Sequence, residues 1–178
     1  KKEILNKLKY IDEKFSKINL PWLNGKKFAN IPWKIGTVIG YEYENGLPHT
    51  RGDIIIIPKE YLNKHNFTKT LIHESIHIYQ RFNKKEVNDY LKKYGFQISR
   101  KKGTDEKDKL IRSNPDLDEY IYMDNKGNEM IAYYNSEKPN GIGDIYLTNL
   151  SNEHPYEKMA YEIADNYYKS LLVKYKDV

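Results

Sequence analysis

The chain contains no cysteine. Disulfide frameworks, thiolate metal sites and a cysteine nucleophile are therefore excluded. It also lacks any apolar run approaching the roughly 18 residues of a membrane-spanning helix. No charged-then-apolar leader opens it. The first residue is Lys1 rather than Met, so the missing leader assigns no compartment; cytoplasmic and secreted settings both suit a cysteine-free chain. No internal repeat is visible.

What is present is enough for one globular domain over residues 1–178, with 39% hydrophobic and 13% aromatic residues. Much of the aromatic content is the 17 tyrosines, which pack while keeping a hydroxyl on a partner or on water. Net charge is +5, unevenly spread. Residues 81–112 hold eleven Lys and Arg against five Asp and Glu, a local excess of +6, and the remainder sums to −1. That segment could draw an anionic partner such as nucleic acid, but a solvated lysine-rich surface is the reading preferred here.

Ile4, Leu8, Ile11, Phe15 and Ile18 recur at helical spacing and predict an amphipathic helix over residues 2–19. Residues 37–43 and 53–57 read as strands, the second stopped by Pro58. The period then changes. Leu71, Ile72, Ile76, Tyr79 and Phe82 predict a helix over 67–82, with Thr68 as N-cap. A helix over 84–94 should stop at Gly95. Residues 99–118 read mostly as loop. A β-meander is expected over 119–150, from a hairpin over 119–134 and a strand over 144–150. A last helix should run over 155–173, with Pro155 in its first turn. The order of elements makes this an α+β domain.

The chemistry concentrates in His73-Glu74-Ser75-Ile76-His77. Positions i and i+4 share one helix face, so the two imidazoles can grip one ion. Glu74, beside them, can take the proton of a water that Zn2+ makes acidic. Composition alone yields such a match with odds on the order of 1%, and here it falls on a predicted helix after a strand. The plainer alternative is two ordinary helix histidines.

Catalytic zinc takes three protein ligands. Glu157 is the best third, because Glu157, Ala160, Tyr161, Ala164 and Tyr168 follow helical spacing and would bury that carboxylate. Glu157 could instead be a first-turn acid favoured by the helix dipole. His154 and Glu162 are the fallback ligands. For the oxyanion that forms during amide hydrolysis, Tyr161 and Tyr146 rank first, ahead of Tyr133, His154 and Arg51. His49 and His65 are assigned no role.

Taken together, His73-Glu74-Ser75-Ile76-His77-Ile78-Tyr79-Gln80 and Pro155-Tyr156-Glu157-Lys158-Met159-Ala160-Tyr161 resemble the zincin metallopeptidases of gluzincin type. More narrowly, they resemble a loose group of proteins that shows HExxHxxQ followed later by an Asn-Pro-x-Glu-x-x-Ala-Tyr helix start. The resemblance covers two helices. It implies a zincin-like domain with a small mixed sheet, a metal helix, a β-meander insertion and a C-terminal helix carrying the third ligand. It further implies zinc held by His73, His77 and Glu157, Glu74 as general base, and a peptide or protein substrate. By the same analogy, an extended peptide would lie along a sheet edge offered by residues 37–43 or 53–57. Three positions depart from the pattern. His154 replaces Asn, the gap between His77 and Glu157 is long, and Tyr161 stands where thermolysin-like enzymes place an Asp that orients a ligand histidine. The partner that orients the ligand histidines is thus not identified from sequence. Two other readings compete with a zinc metallopeptidase. One is a binding, toxin or effector module on a zincin scaffold; the other is a nucleic-acid-associated protease using residues 81–112.

Overall fold

The computed structural model describes residues 2–40, 44–139, 141–148 and 152–175. Helix α1 (Lys2–Phe15) buries Leu8, Ile11 and Phe15, the inward positions of its period. It ends short of the expected residue 19. Ser16 donates its hydroxyl to Glu13 O, and the Ile18 amide turns back to Phe15 O. The chain then forms the short ribbon β1 (Asn19–Leu20) and β2 (Leu23–Asn24) and enters helix α2 (Gly25–Ala29). Gly25 is required here. A Cβ at this position would lie 1.7 Å from the Phe15 carbonyl oxygen, where α1 ends against α2.

Next comes a small mixed sheet of β3 (Ile35–Val38), β4 (His49–Arg51) and β5 (Ile54–Pro58). The order is β3-β5-β4, with β3 parallel and β4 antiparallel to β5. The strand expected over 37–43 is displaced to Ile35–Val38, because its ladder runs only from Ile35 beside Ile55 to Val38 beside Pro58. Proline has no N–H with which to extend it. Residues 41–43 lie outside the described residues. The strand expected at 53–57 is observed one residue later and is central, paired on both sides, so it offers no edge.

Helix α3 (Phe67–Phe82) crosses the centre of the molecule and buries an unbroken stretch from Glu74 to Gln80. Its N-cap is Asn66 rather than Thr68, which lies inside the helix. Helix α4 (Lys84–Tyr94) ends at Gly95, whose φ of 72° suits glycine. Helix α5 (Pro155–Tyr175) closes the chain and packs on α3. Met159, Ala160 and Ala164 are fully buried in the core with Leu71, Ile72 and Ile76.

Between α4 and α5, part of the expected loop over 99–118 is ordered. It holds β6 (Gln97–Lys101) and a 3-10 turn (Glu106–Leu110) opened by a capping box at Asp105. Strands β7 (Tyr120–Met123) and β8 (Glu129–Met130) complete the sheet β6-β7-β8. The single meander expected over 119–150 is not formed. Strand β9 (Ala132–Tyr134) pairs instead with β10 (Ile145–Leu147) in a separate antiparallel ribbon. The switch occurs at Ile131, whose N–H donates to Thr148 Oγ1 at 3.0 Å and whose carbonyl accepts the Thr148 N–H at 2.9 Å. Of the strand expected over 144–150, residues 149 and 150 lie outside the described residues.

The architecture is thus α+β. Among the described residues, no helix is long and apolar enough to cross a membrane. In the basic segment 81–112, all three arginines are in ion pairs: Arg81 with Asp116, Arg100 with Asp108 and Glu129, and Arg112 with Glu153. The Gly25 contact carries a direct test. Gly25→Ala should destabilise the protein by about 3 kcal/mol in urea denaturation, the upper end of overpacking costs, because backbone rather than a side chain must move. An unchanged midpoint would mean that α1 and α2 part freely.

Candidate metal centre

His73 and His77 lie one turn apart on α3, and Glu157 lies in the first turn of α5. The packing of the two helices brings them together. The two Nε2 atoms are 3.1 Å apart, and Glu157 Oε2 is 3.2 Å from His73 Nε2 and 3.7 Å from His77 Nε2. The three form the His-His-Glu group among the described residues that could hold a metal ion. Bonds of about 2.0–2.1 Å in a tetrahedral zinc site place ligand atoms about 3.3 Å apart, so this triangle has the size of one face of such a site.

The hydrogen bonds around the triangle decide which atoms face it. His77 Nδ1 lies 3.0 Å from Gln80 Oε1, while Gln80 Nε2 donates to Tyr156 O at 2.9 Å. The amide orientation is therefore set by the Tyr156 carbonyl, and His77 carries its proton on Nδ1. Its Nε2 is then the nitrogen that faces the triangle. Asn114 Nδ2 donates to Glu157 Oε1 at 2.9 Å, leaving Oε2 toward the imidazoles. His73 Nδ1 is buried and has no hydrogen-bond partner among the described residues.

Electrostatics agree with a cation-seeking cluster. Burial works against the Glu157 carboxylate, but His77 and His73 outweigh it and hold the group well below the usual carboxylate range. Burial pushes His77 down, yet the Glu157 charge draws it up to about 10; His73 is held below its ordinary value, chiefly by burial. Glu74 is 4% exposed and its Oε2 has no hydrogen-bond partner among the described residues. Burial, followed by the Asp116 charge, raises Glu74 well above the carboxylate range.

Of this cluster, His73, Glu157 and the adjacent Glu74 line a cavity of about 850 Å³, while His77 lies behind them, fully buried. Part of its wall is apolar, from Ala132, Ile142, Ile145 and Leu147. Tyr161 lines it, with its ring 4.4 Å from that of His73, and its hydroxyl is raised to about 12, first by burial and then by Glu157 and Glu74. Tyr161 therefore stays protonated at neutral pH and can donate.

Tyr146 is misplaced by the sequence reading. Strand alternation sends Ile145 and Leu147 to the cavity and Tyr146 to the opposite face, where it stacks on Tyr133 at 5.6 Å. Neither tyrosine lines the cavity. The other candidates are also engaged elsewhere. Arg51 pairs with Glu44, and Glu162 accepts from Tyr90 and Lys158. His154 contacts Asp118 and the Tyr156 amide. His49, given no role from sequence, is buried and lines the cavity, with Nδ1 on Leu47 O at 2.9 Å. His65 is exposed.

Among the described residues, neither sheet edge expected for a peptide borders the cavity, since β3 lines none of it and β5 is internal. Within the sheet β3-β5-β4, the edge strand that does is β4, through His49, and it is largely closed. Asp116 accepts the Thr50 N–H at 3.0 Å, and Arg81 donates to Gly52 O at 3.0 Å and to Pro115 O at 2.8 Å. Gln80, Arg81, Asn114 and Asp116 are thus site residues that the sequence reading did not assign. Gln80 alone had a signal, three residues beyond His77 on the same helix.

Gln80→Ala should weaken divalent-metal affinity by about 10- to 100-fold, as removal of a group that orients a ligand histidine does. Chelator competition measures this, and affinity equal to the parent's would show that Gln80 does not orient His77. Compared with protein-family models, with curated proteins and with solved structures, the chain matches none.

Proposed function

We propose that this chain is a zinc-dependent metallopeptidase of the zincin type, gluzincin-like in taking its third ligand from a later helix. The observation that carries the reading is the triangle of His73 Nε2, His77 Nε2 and Glu157 Oε2, with a Glu74 carboxylate oxygen, unpartnered among the described residues, in the cavity wall that His73 and Glu157 also line. The donor set suits zinc, and His73, His77 and Glu157 would hold it. When bound, zinc would supply a Lewis acid that acidifies water and polarises a carbonyl.

The remaining chemistry belongs to side chains of this chain. Glu74 takes the proton of the attacking water and delivers it to the departing amide nitrogen. Burial raises its proton affinity, which favours taking the proton from water. The Tyr161 hydroxyl, protonated and on the cavity wall, is placed to donate to the oxygen that gains charge as the carbonyl is attacked. Burial of His77 and Glu157 limits competing contact with bulk water.

For the substrate we favour a peptide running past β10. Among the described residues, β10 pairs on one side only, with β9, and Ile145 and Leu147 project from it into the cavity. Leu147 is 40% exposed and Ile142 46%, an apolar wall without a cover among the described residues. A peptide with an apolar residue beside the scissile bond would cover it.

Two outcomes are expected. Chelation should abolish peptide hydrolysis and zinc restore it, while Glu74→Gln should keep about one zinc per chain yet lose roughly 100- to 10,000-fold in rate. A Glu74→Gln protein as active as the parent would end the proposed mechanism. Leu147→Asp should lower kcat/KM on peptides with an apolar residue beside the cut by about tenfold or more, the scale of a lost apolar contact. A uniform profile across a peptide library, unchanged by this substitution, would remove β10 from the substrate path.

A further inference from the structure

The Tyr156 peptide unit directly before Glu157 is held at both ends. Its carbonyl accepts Gln80 Nε2 at 2.9 Å, and Gln80 also faces His77. Its N–H donates to His154 Nδ1 at 3.1 Å. Helix α5 begins at Pro155, so His154 is its N-cap residue. Pro155 has no N–H, which leaves the Tyr156 and Glu157 amides as the first that need acceptors; the Lys158 amide already reaches His154 O at 3.1 Å.

An imidazole nitrogen that accepts an amide N–H carries no proton. His154 is therefore neutral with its hydrogen on Nε2, which donates to Asp118 Oδ1 at 3.2 Å. Asp118 is itself fixed, since it accepts the Tyr120 N–H at 3.0 Å and the Tyr122 hydroxyl at 2.9 Å. The rings of Tyr122 and Tyr156 meet the imidazole edge-on at 4.8 and 4.7 Å. His154 is 1% exposed and lines no part of the cavity, so it touches neither substrate nor metal.

We propose that His154, anchored by Asp118, is a positioning residue for Glu157: it caps α5 so that the first-turn carboxylate is held against His73 and His77. The chain of contacts is short. Asp118 fixes the imidazole, the imidazole fixes the Tyr156 amide, and the next residue is the carboxylate. Gln80 locks the same peptide unit to α3 from the other side. The inference rests on the reading of His73, His77 and Glu157 as metal ligands.

The test is zinc affinity of the full chain, by chelator competition, for the parent protein and for His154→Ala, His154→Asn and Glu157→Ala. Cobalt(II) absorption is recorded on each as a report of coordination geometry. Asparagine caps helices as well as any residue but cannot reproduce an imidazole's packing. His154→Ala should bind zinc about 10- to 100-fold more weakly and alter the cobalt spectrum. His154→Asn should stay within about threefold of the parent with the parent's spectrum, because the cap is restored. Parent-like affinity in His154→Ala, with Glu157→Ala weakened, overturns the positioning role. Equal losses in His154→Ala and His154→Asn overturn it too, since the imidazole would then matter by its volume. Should His154→Ala fail to fold, His154→Asn decides alone: near-parent affinity supports the role, and a loss as large as that of Glu157→Ala ends it. A parent protein that binds no zinc overturns the metal reading itself, and this inference with it.

Discussion

The close approach of α5 to α3 is the constraint on which the site depends. Ala160 and Ala164 present almost no side chain at the contact, and both are fully buried against a core that includes Ile72 and Ile76. A larger residue at either place would push α5 outward and take Glu157 away from the two imidazoles. Hydrophobic burial supplies the attraction, but it has no direction. Direction comes from hydrogen bonds across the helix pair, of which Gln80 to Tyr156 O is the central one.

That contact buries charge, and the surroundings answer it group by group. Glu157 faces two imidazoles and Asn114, Glu153 faces Arg112 and Asn114, and Asp116 is held by Arg81 and Thr50. Unpaired buried charges are costly, so a carboxylate in such a place is kept only with a partner. Glu74 is the exception. One of its oxygens has no partner among the described residues, in the cavity wall that His73 and Glu157 also line. A side chain left unsatisfied by the fold is available to a reactant.

The same network that builds the site shapes its approaches. Arg81 sits one turn beyond His77 and ties α3 to Gly52 and Pro115, while Asp116 occupies the Thr50 amide. These contacts stiffen the frame around the triangle and close the edge of β4 against strand addition. The apolar wall then falls to β10, a short strand in a ribbon separate from the other sheets. Its alternation is what puts Ile145 and Leu147, rather than Tyr146, against the cavity.

Local periodicity was the legible part. His73, Glu74 and His77 share a helix face because α-helical geometry relates i and i+4 without help from the rest of the chain, and Gly95 stops α4 for an equally local reason. The small α+β character and the helix carrying Glu157 were readable from runs and turn residues. Strand partners were not, because pairing depends on residues far apart in sequence: Ile131 chose Thr148 over a continuing meander, and β3 took its limits from β5. The sequence ranked Glu157 above His154 and Glu162 from helical spacing, but it could not exclude Tyr146, and only packing brings the Glu157 carboxylate against the imidazoles. By itself, then, the sequence determined the two histidines and the acid beside them. Tertiary structure decided what completes and orients them, because those contacts span tens of residues and exist only once α5 is seated on α3.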